Sequence, residues 1–133
     1  MKRVGLDTNV LVRYLTQDDP TQSRKATSEI EGAADRGATL FVSNVVVCEL
    51  AWVLEGAYGY SRGNIQEVLD LVLRTAQFEF ENKEAVWLAF GDYSAGKADF
   101  SDYLVGRIGA QAGCGETLTF DRSLRDSGLF RIL

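Results

Sequence analysis

Four acidic residues stand at strand ends or within helices in a chain that contains no histidine. Asp7 closes Arg3-Val4-Gly5-Leu6, Glu49 sits inside an apolar segment, Asp102 opens a late helix, and Asp121 follows Thr117-Leu118-Thr119-Phe120. Carboxylates at the carboxyl ends of parallel strands converge on one crevice. Gathered there, they repel and raise one another's pKa values unless a cation holds them. Ligation by oxygen alone selects a hard divalent ion, magnesium or manganese, over zinc or copper. Such a cluster points to phosphate chemistry.

The missing histidine excludes Ser-His-Asp and Cys-His catalysis, histidine acid–base pairs and H-E-x-x-H zinc sites. Cys48 and Cys114 are far apart and form no C-x-x-C, which argues against a thiolate metal site. Two cysteines without a spacing pattern read as small buried residues of a reducing cytoplasm.

Each acid also has a plainer reading. Asp7 begins Asp7-Thr8-Asn9 behind an expected buried strand, and a helix cap explains one of those three polar residues. Asn9 would then support Asp7 as a neighbour of the metal ligands. Helical spacing puts Glu49 beside Val45, Val46, Trp52 and Val53, where an unpaired charge costs several kcal/mol, so it needs an ion or an arginine such as Arg13 or Arg107. Asp99 and Asp102, three apart, share a helix face or form an N-cap and a capping box. Asp121 is a ligand at the end of an expected buried strand, or the cap of a turn around Ser123 to Arg125. Arg13, Arg107, Arg122 and Arg125 read most simply as solvated surface.

The elements that must position these acids alternate between strand and helix. A strand runs to Leu6, and a short helix follows with Val10, Leu11, Tyr14 and Leu15. Asp19-Pro20 starts another helix, with aspartate as cap and proline in the first turn. That helix buries Ala26, Ile30, Ala33 and Ala34 and stops at Gly37. Thr39 to Val42 is a strand, and Ser43-Asn44 caps a helix over 45–57 whose valine triplet alone would favour a strand. Ser61 caps the next helix, Phe78-Glu79-Phe80 is a short strand, and Asn82 caps a helix with Val86, Ala89, Phe90 and Tyr93. The late helix, about Ser101 to Ala112, presents Leu104, Val105 and Ile108 and ends at Gly113 and Gly115. Thr117–Phe120 and Leu129–Leu133 are the last strands. This order predicts a three-layer α/β/α sandwich around a Rossmann-like, mostly parallel sheet, in a single domain over 1–133.

At 133 residues with 46% hydrophobic and 25% charged content, the chain is ordinary for a soluble domain. The longest apolar run is interrupted by Glu49 and Glu55, so no membrane span is expected. Nothing precedes the first strand that reads as a signal peptide, so the expected location is cytoplasmic. A net charge of −5 argues against indiscriminate nucleic-acid binding. It does not exclude a nuclease whose own carboxylates supply several of those charges.

Gly5-Leu6-Asp7-Thr8-Asn9-Val10-Leu11, Ser43 to Leu50, Ala98-Asp99-Phe100-Ser101-Asp102-Tyr103-Leu104-Val105 and Thr117 to Asp121 together resemble the four acidic motifs of PIN-domain ribonucleases. Their order, and the length of the chain, are similar to VapC-like toxins of bacterial toxin–antitoxin pairs. The resemblance covers essentially the whole chain. It implies a Rossmann-like fold, a magnesium- or manganese-dependent endoribonuclease, a homodimer and a cognate antitoxin. By position, Asp7, Glu49, Asp102 and Asp121 would form the catalytic, metal-binding tetrad, with Asp99 an additional metal ligand. Thr119 matches the hydroxyl residue that supports a ligand or the attacking water. Gly109 departs from the alanine-rich sequence usual there, a matter of helix packing.

Two other functions fit the same acids. A phosphoacceptor or phosphatase domain also places an aspartate after a parallel strand, but the phosphatase pattern wants an acid where Asn9 stands, and both want a late lysine beyond Lys97. A non-catalytic module binding RNA or a partner would leave the acids structural. Trp52, Tyr58, Tyr60 and the helix around Ile65 to Leu73 offer an apolar surface for a two-fold homodimer. An arginine-bearing antitoxin tail would suit the carboxylates.

Overall fold

In the computed structural model, which describes residues 2–133, the chain forms two units, one running to Asn82 and the other from Lys83 to Leu133. The first holds a three-stranded parallel sheet in the order β1-β2-β3, from β1 (Lys2–Gly5), β2 (Ala38–Val42) and β3 (Phe78–Phe80). Val4 stands opposite Leu40, and Leu40 opposite Phe78. Parallel neighbours require long crossovers. Here α1 (Thr8–Thr16) and α2 (Pro20–Glu31) join β1 to β2, while α3 (Asn44–Gly56) and α4 (Arg62–Leu73) join β2 to β3.

The helix starts follow the cap residues. Asp19 accepts a hydrogen bond from the Gln22 N–H with Pro20 in the first helical turn, and Ser43 and Ser61 accept from Val46 and Asn64. The Ser43 cap settles the valine triplet as helix. Helix α3 then buries Val46, Val47, Leu50, Ala51 and Leu54 on one side, a core its β-branched residues can join without a neighbouring strand. Leu11, Ile30, Leu50, Leu54, Ile65 and Leu69 are all almost fully buried, each worth roughly 1.5–3 kcal/mol over exposure.

Three expectations need correction in this unit. Helix α2 ends at Glu31 rather than running to Gly37: Gly32 caps it, and turns lead to Gly37, whose φ of +64° favours glycine. Ala34, beyond that end, is exposed. Strand β1 is exposed along its length rather than buried, and two of its four residues are the charged Lys2 and Arg3. Arg3 lies over the Phe41 ring and pairs with Glu79. Finally, Ile65, Leu69, Val72 and Leu73 turn inward, so on α4 the exposed large apolar residue is Leu71.

The second unit contains α5 (Lys83–Ala95), α6 (Phe100–Gln111), β4 (Thr117–Thr119), a 3-10 turn (Arg122–Leu124) and β5 (Phe130–Ile132). Strands β4 and β5 are parallel, with Thr117 opposite Phe130. Ala85, Val86, Ala89 and Tyr93 of α5 are buried, as are Phe100, Tyr103 and Leu104 of α6, and the Tyr93 and Phe100 rings meet edge to face. Glycines let α6 lie close to the strands. A Cβ at Gly106 would stand 2.6 Å from the Phe130 ring, and one at Gly109 2.9 Å from Thr117 Oγ1. Val105 and Ile108 are exposed, not part of the buried face, since the inward side of α6 is set by Phe100, Tyr103 and Leu104. Strand β4 is not buried either: Leu118 and Phe120 are 52% and 79% exposed. The strands are parallel in both units, joined through α-helices in the first and through a loop with a single 3-10 turn in the second. No helix among the described residues is long and apolar enough to cross a membrane.

Candidate active site

In the first unit one buried threonine links two of the acids. Asp7 follows β1 in an extended conformation and caps α1, its Oδ1 accepting from the Thr8 N–H at 2.7 Å. Thr8 is only 5% exposed, and its hydroxyl donates to Glu49 Oε1 at 3.0 Å. Asp7 and Glu49, 42 positions apart, thus flank a single residue. Glu49 reaches this point because Ser43 starts α3 directly after β2, with the Asn44 N–H donating to Glu81 Oε1 at 2.9 Å. Asn9 is exposed, and the group touching both carboxylates is Thr8.

No arginine among the described residues neutralises Glu49. Arg13 is held by Asp18 at 3.2 Å, by Gln22 at 2.8 Å and by the Tyr58 hydroxyl at 2.7 Å. Arg107 forms a two-pronged pair with Asp92, both contacts at 2.7 Å. The ion-pair alternative for Glu49 therefore fails on both arginines named for it.

In the second unit the charges of Asp99 and Asp121 bear on Asp102. Burial, then the charges of Asp99 and Asp121, push the Asp102 carboxyl above its ordinary range, against a hydrogen bond from the Asp99 backbone that lowers it. Asp99 has the backbone of an N-cap, but its side chain makes no cap hydrogen bond. Asp102 instead reaches back to the Asp99 N–H, the acid's half of a capping box. Asp121 accepts from the Ser123 N–H at 2.9 Å and the Ser123 hydroxyl at 2.6 Å, bonds that hold its carboxyl below the usual range. The Asp121 N–H donates to Thr119 Oγ1 at 3.0 Å, so Thr119 fixes the backbone that carries the acid.

The donors suit a hard cation in kind. They are all carboxylate oxygens, and Asp7, Glu49 and Asp121 each commit one oxygen to a local hydrogen bond while the other takes none among the described residues. The charges of Asp99 and Asp121 that add to burial in raising the Asp102 carboxyl are of the kind a bound cation would offset. As the side chains stand, no three acidic or sulfur groups among the described residues are grouped to hold an ion.

Thr8 and Ser123 were not singled out from the sequence. The signal for Ser123 is a hydroxyl two residues after an aspartate, the spacing of an Asx turn. The signal for Thr8 is a hydroxyl directly after a strand-end acid, which shows no partner until the fold supplies Glu49.

The PIN domain matches residues 4–128, nearly the whole chain, and the protein therefore belongs to the PIN-domain family. The α/β sandwich expected from the sequence is that family's fold. Among individual proteins, the VapC ribonuclease of Aquifex aeolicus (strain VF5) is 30% identical over 125 residues, 92% of this chain and 90% of that protein.

Proposed function

We propose that the protein is a magnesium- or manganese-dependent endoribonuclease, acting as one PIN domain over 1–133 and serving as the toxin of a cytoplasmic toxin–antitoxin pair. The observation that carries this reading is the PIN-domain match over residues 4–128, within which the charges of Asp99 and Asp121 both bear on the half-buried Asp102 carboxyl. The similarity to a VapC ribonuclease supports RNA as substrate and a cognate antitoxin as partner. Asp7, Glu49, Asp102 and Asp121 are the proposed catalytic acids, and together with Asp99 the proposed metal ligands, with Asn9 and Thr119 in support.

A bound divalent ion supplies Lewis acidity at the scissile phosphate and a lowered pKa for the attacking water. The chain supplies orientation and proton transfer. Thr8 fixes one oxygen of Glu49, which leaves the other to accept a proton from the water. Ser123 fixes Oδ1 of Asp121 in the same way, and Asp7 is held by the backbone of Thr8. Attack by water rather than by the 2′-hydroxyl gives 5′-phosphate and 3′-hydroxyl ends, with no histidine needed.

A homodimer remains part of the proposal, through the exposed apolar residues Val45 and Trp52 of α3 and Leu71 of α4. The central test is cleavage of single-stranded RNA in manganese, its loss with chelator, and its loss in Asp7→Asn with the circular dichroism spectrum unchanged. Undiminished cutting by Asp7→Asn would sink the assignment.

A further inference from the structure

The second unit carries a cleft of about 640 Å³ that none of the acids lines. One wall is the turn after α5. There the Tyr103 hydroxyl accepts from the Lys97 and Ala98 N–H groups at 3.1 and 3.2 Å. Gly96 permits this approach, since a Cβ there would stand 1.9 Å from the same hydroxyl. The facing wall is the loop from Ser123 to Leu129, pinned by buried Leu124 and by the Ser127 N–H donating to the Leu124 carbonyl at 3.0 Å. The cleft is thus built before any ligand arrives, and its volume lies in the range of small-ligand sites.

Its charge differs from that of the chain. Lys97, Arg107 and Arg125 line it against Asp92 and Asp126. The Arg107–Asp92 pair is internally neutral, and the lining as a whole carries one more basic than acidic side chain, in a protein of net charge −5. Arg125 meets only the Arg122 carbonyl, at 3.4 Å, and pairs with no carboxylate among the described residues. The cleft also adjoins the acids along the chain: Lys97 lies two residues before Asp99, Tyr103 directly follows Asp102, and Ser123 is bonded to Asp121.

We propose that this cleft holds a nucleotide of single-stranded RNA flanking the bond to be cut, with Arg125 on its phosphate. An anion-binding pocket beside a carboxylate cluster offsets the repulsion that those acids exert on a polyanion. An arginine-bearing protein tail would be drawn to the acids rather than to Arg125. The proposal rests on the ribonuclease reading, and its test separates the two.

The probe is a fluorescein-labelled, mixed-sequence RNA decamer, bound with chelator present so that nothing is cut and followed by anisotropy across a salt series. One phosphate contact on single-stranded nucleic acid contributes about 0.7 to the slope of log affinity against log salt, which is about fivefold in affinity near 0.1 M salt. Arg125→Gln should lose that much, and Arg125→Lys should keep most of it. Arg122→Gln, in the same turn but outside the cleft, should bind as the parent does. In manganese, the KM of Arg125→Gln should rise by a similar factor. Parent-like binding by Arg125→Gln, an equal loss in Arg122→Gln, or a parent that binds no decamer would each overturn the cleft. A loss of affinity for a protein partner with RNA binding intact would overturn it too. Binding through Arg125 without cutting in manganese would refute the nuclease reading alone; cutting by the parent with Arg125→Gln unaffected would refute the cleft alone.

Discussion

Replacing Thr8 with valine tests how the first pair of acids is held. The two side chains have nearly the same shape, and Thr8 is 5% exposed, so the change removes one hydroxyl and leaves the packing. What is lost is the 3.0 Å hydrogen bond to Glu49 Oε1. A hydrogen bond to a charged group is worth roughly 1.5–3 kcal/mol. If that energy orients the carboxylate for proton transfer, it corresponds to about a 10- to 100-fold loss in kcat/KM. Stability should change far less, because valine offsets the lost bond with an added buried methyl, and the Thr8 N–H still caps on Asp7. The measurement is RNA cleavage in saturating manganese beside a thermal melt, with Thr8→Ser as the variant that retains the hydroxyl. Thr8→Val cutting at the parent rate would refute the orienting role. A loss in Thr8→Ser as large as that in Thr8→Val would attribute the effect to the packing of this buried position rather than to the hydroxyl.

Asp92→Ala should cost about 1–3 kcal/mol in urea denaturation, since it strands the half-buried Arg107 guanidinium, and Arg107→Ala in the same background should add little. Asp18 is held below its ordinary carboxylate range by the Tyr58 and Thr16 hydroxyls and by Arg13. A depressed folded-state pKa gives stability that is present above the unfolded value and lost as pH falls through the folded one. Thermal melts from about pH 5 to about pH 2 should therefore show a shallower acid decline in Asp18→Asn than in the parent; parallel declines would discount this cluster. Asp99→Asn should melt no lower than the parent, because its side chain makes no cap bond and its charge repels Asp102. Asp102→Asn should lose more activity than Asp99→Asn across a manganese titration, and the reverse order would exchange their roles.

The helix starts were legible because they rest on chemistry between near neighbours. Asp19 before Pro20, Ser43 and Ser61 each satisfy the N–H three residues on, and all three caps form. Ends were harder. Gly32 and Gly37 both offer a stop to α2, and the choice of the earlier one depends on how the chain turns into β2. Burial of β1 and β4 differs from expectation because a short apolar run does not say what packs on its faces: Val4 and Leu118 are exposed, while Phe78 and Phe80 of the other edge strand, β3, are buried.

The acids themselves followed from residue type and position, but what holds each one did not. Asp99 illustrates the limit. Its place before α6 marks it as a cap, and its backbone takes that conformation. Yet the hydrogen bond in this capping box runs the other way, from the Asp99 N–H to the Asp102 carboxylate. That leaves the Asp99 side chain uncommitted beside a half-buried acid. Thr8 shows the complement: a hydroxyl with no distinguishing neighbour in sequence becomes the contact between a strand end and a helix 41 residues away. In both units a small polar residue fixes one oxygen of a carboxylate and leaves the second available, Thr8 for Glu49 and Ser123 for Asp121. Carboxylates restrained in this way lose little further side-chain freedom on taking up a cation or a proton, which is the preorganisation that phosphodiester hydrolysis without histidine requires.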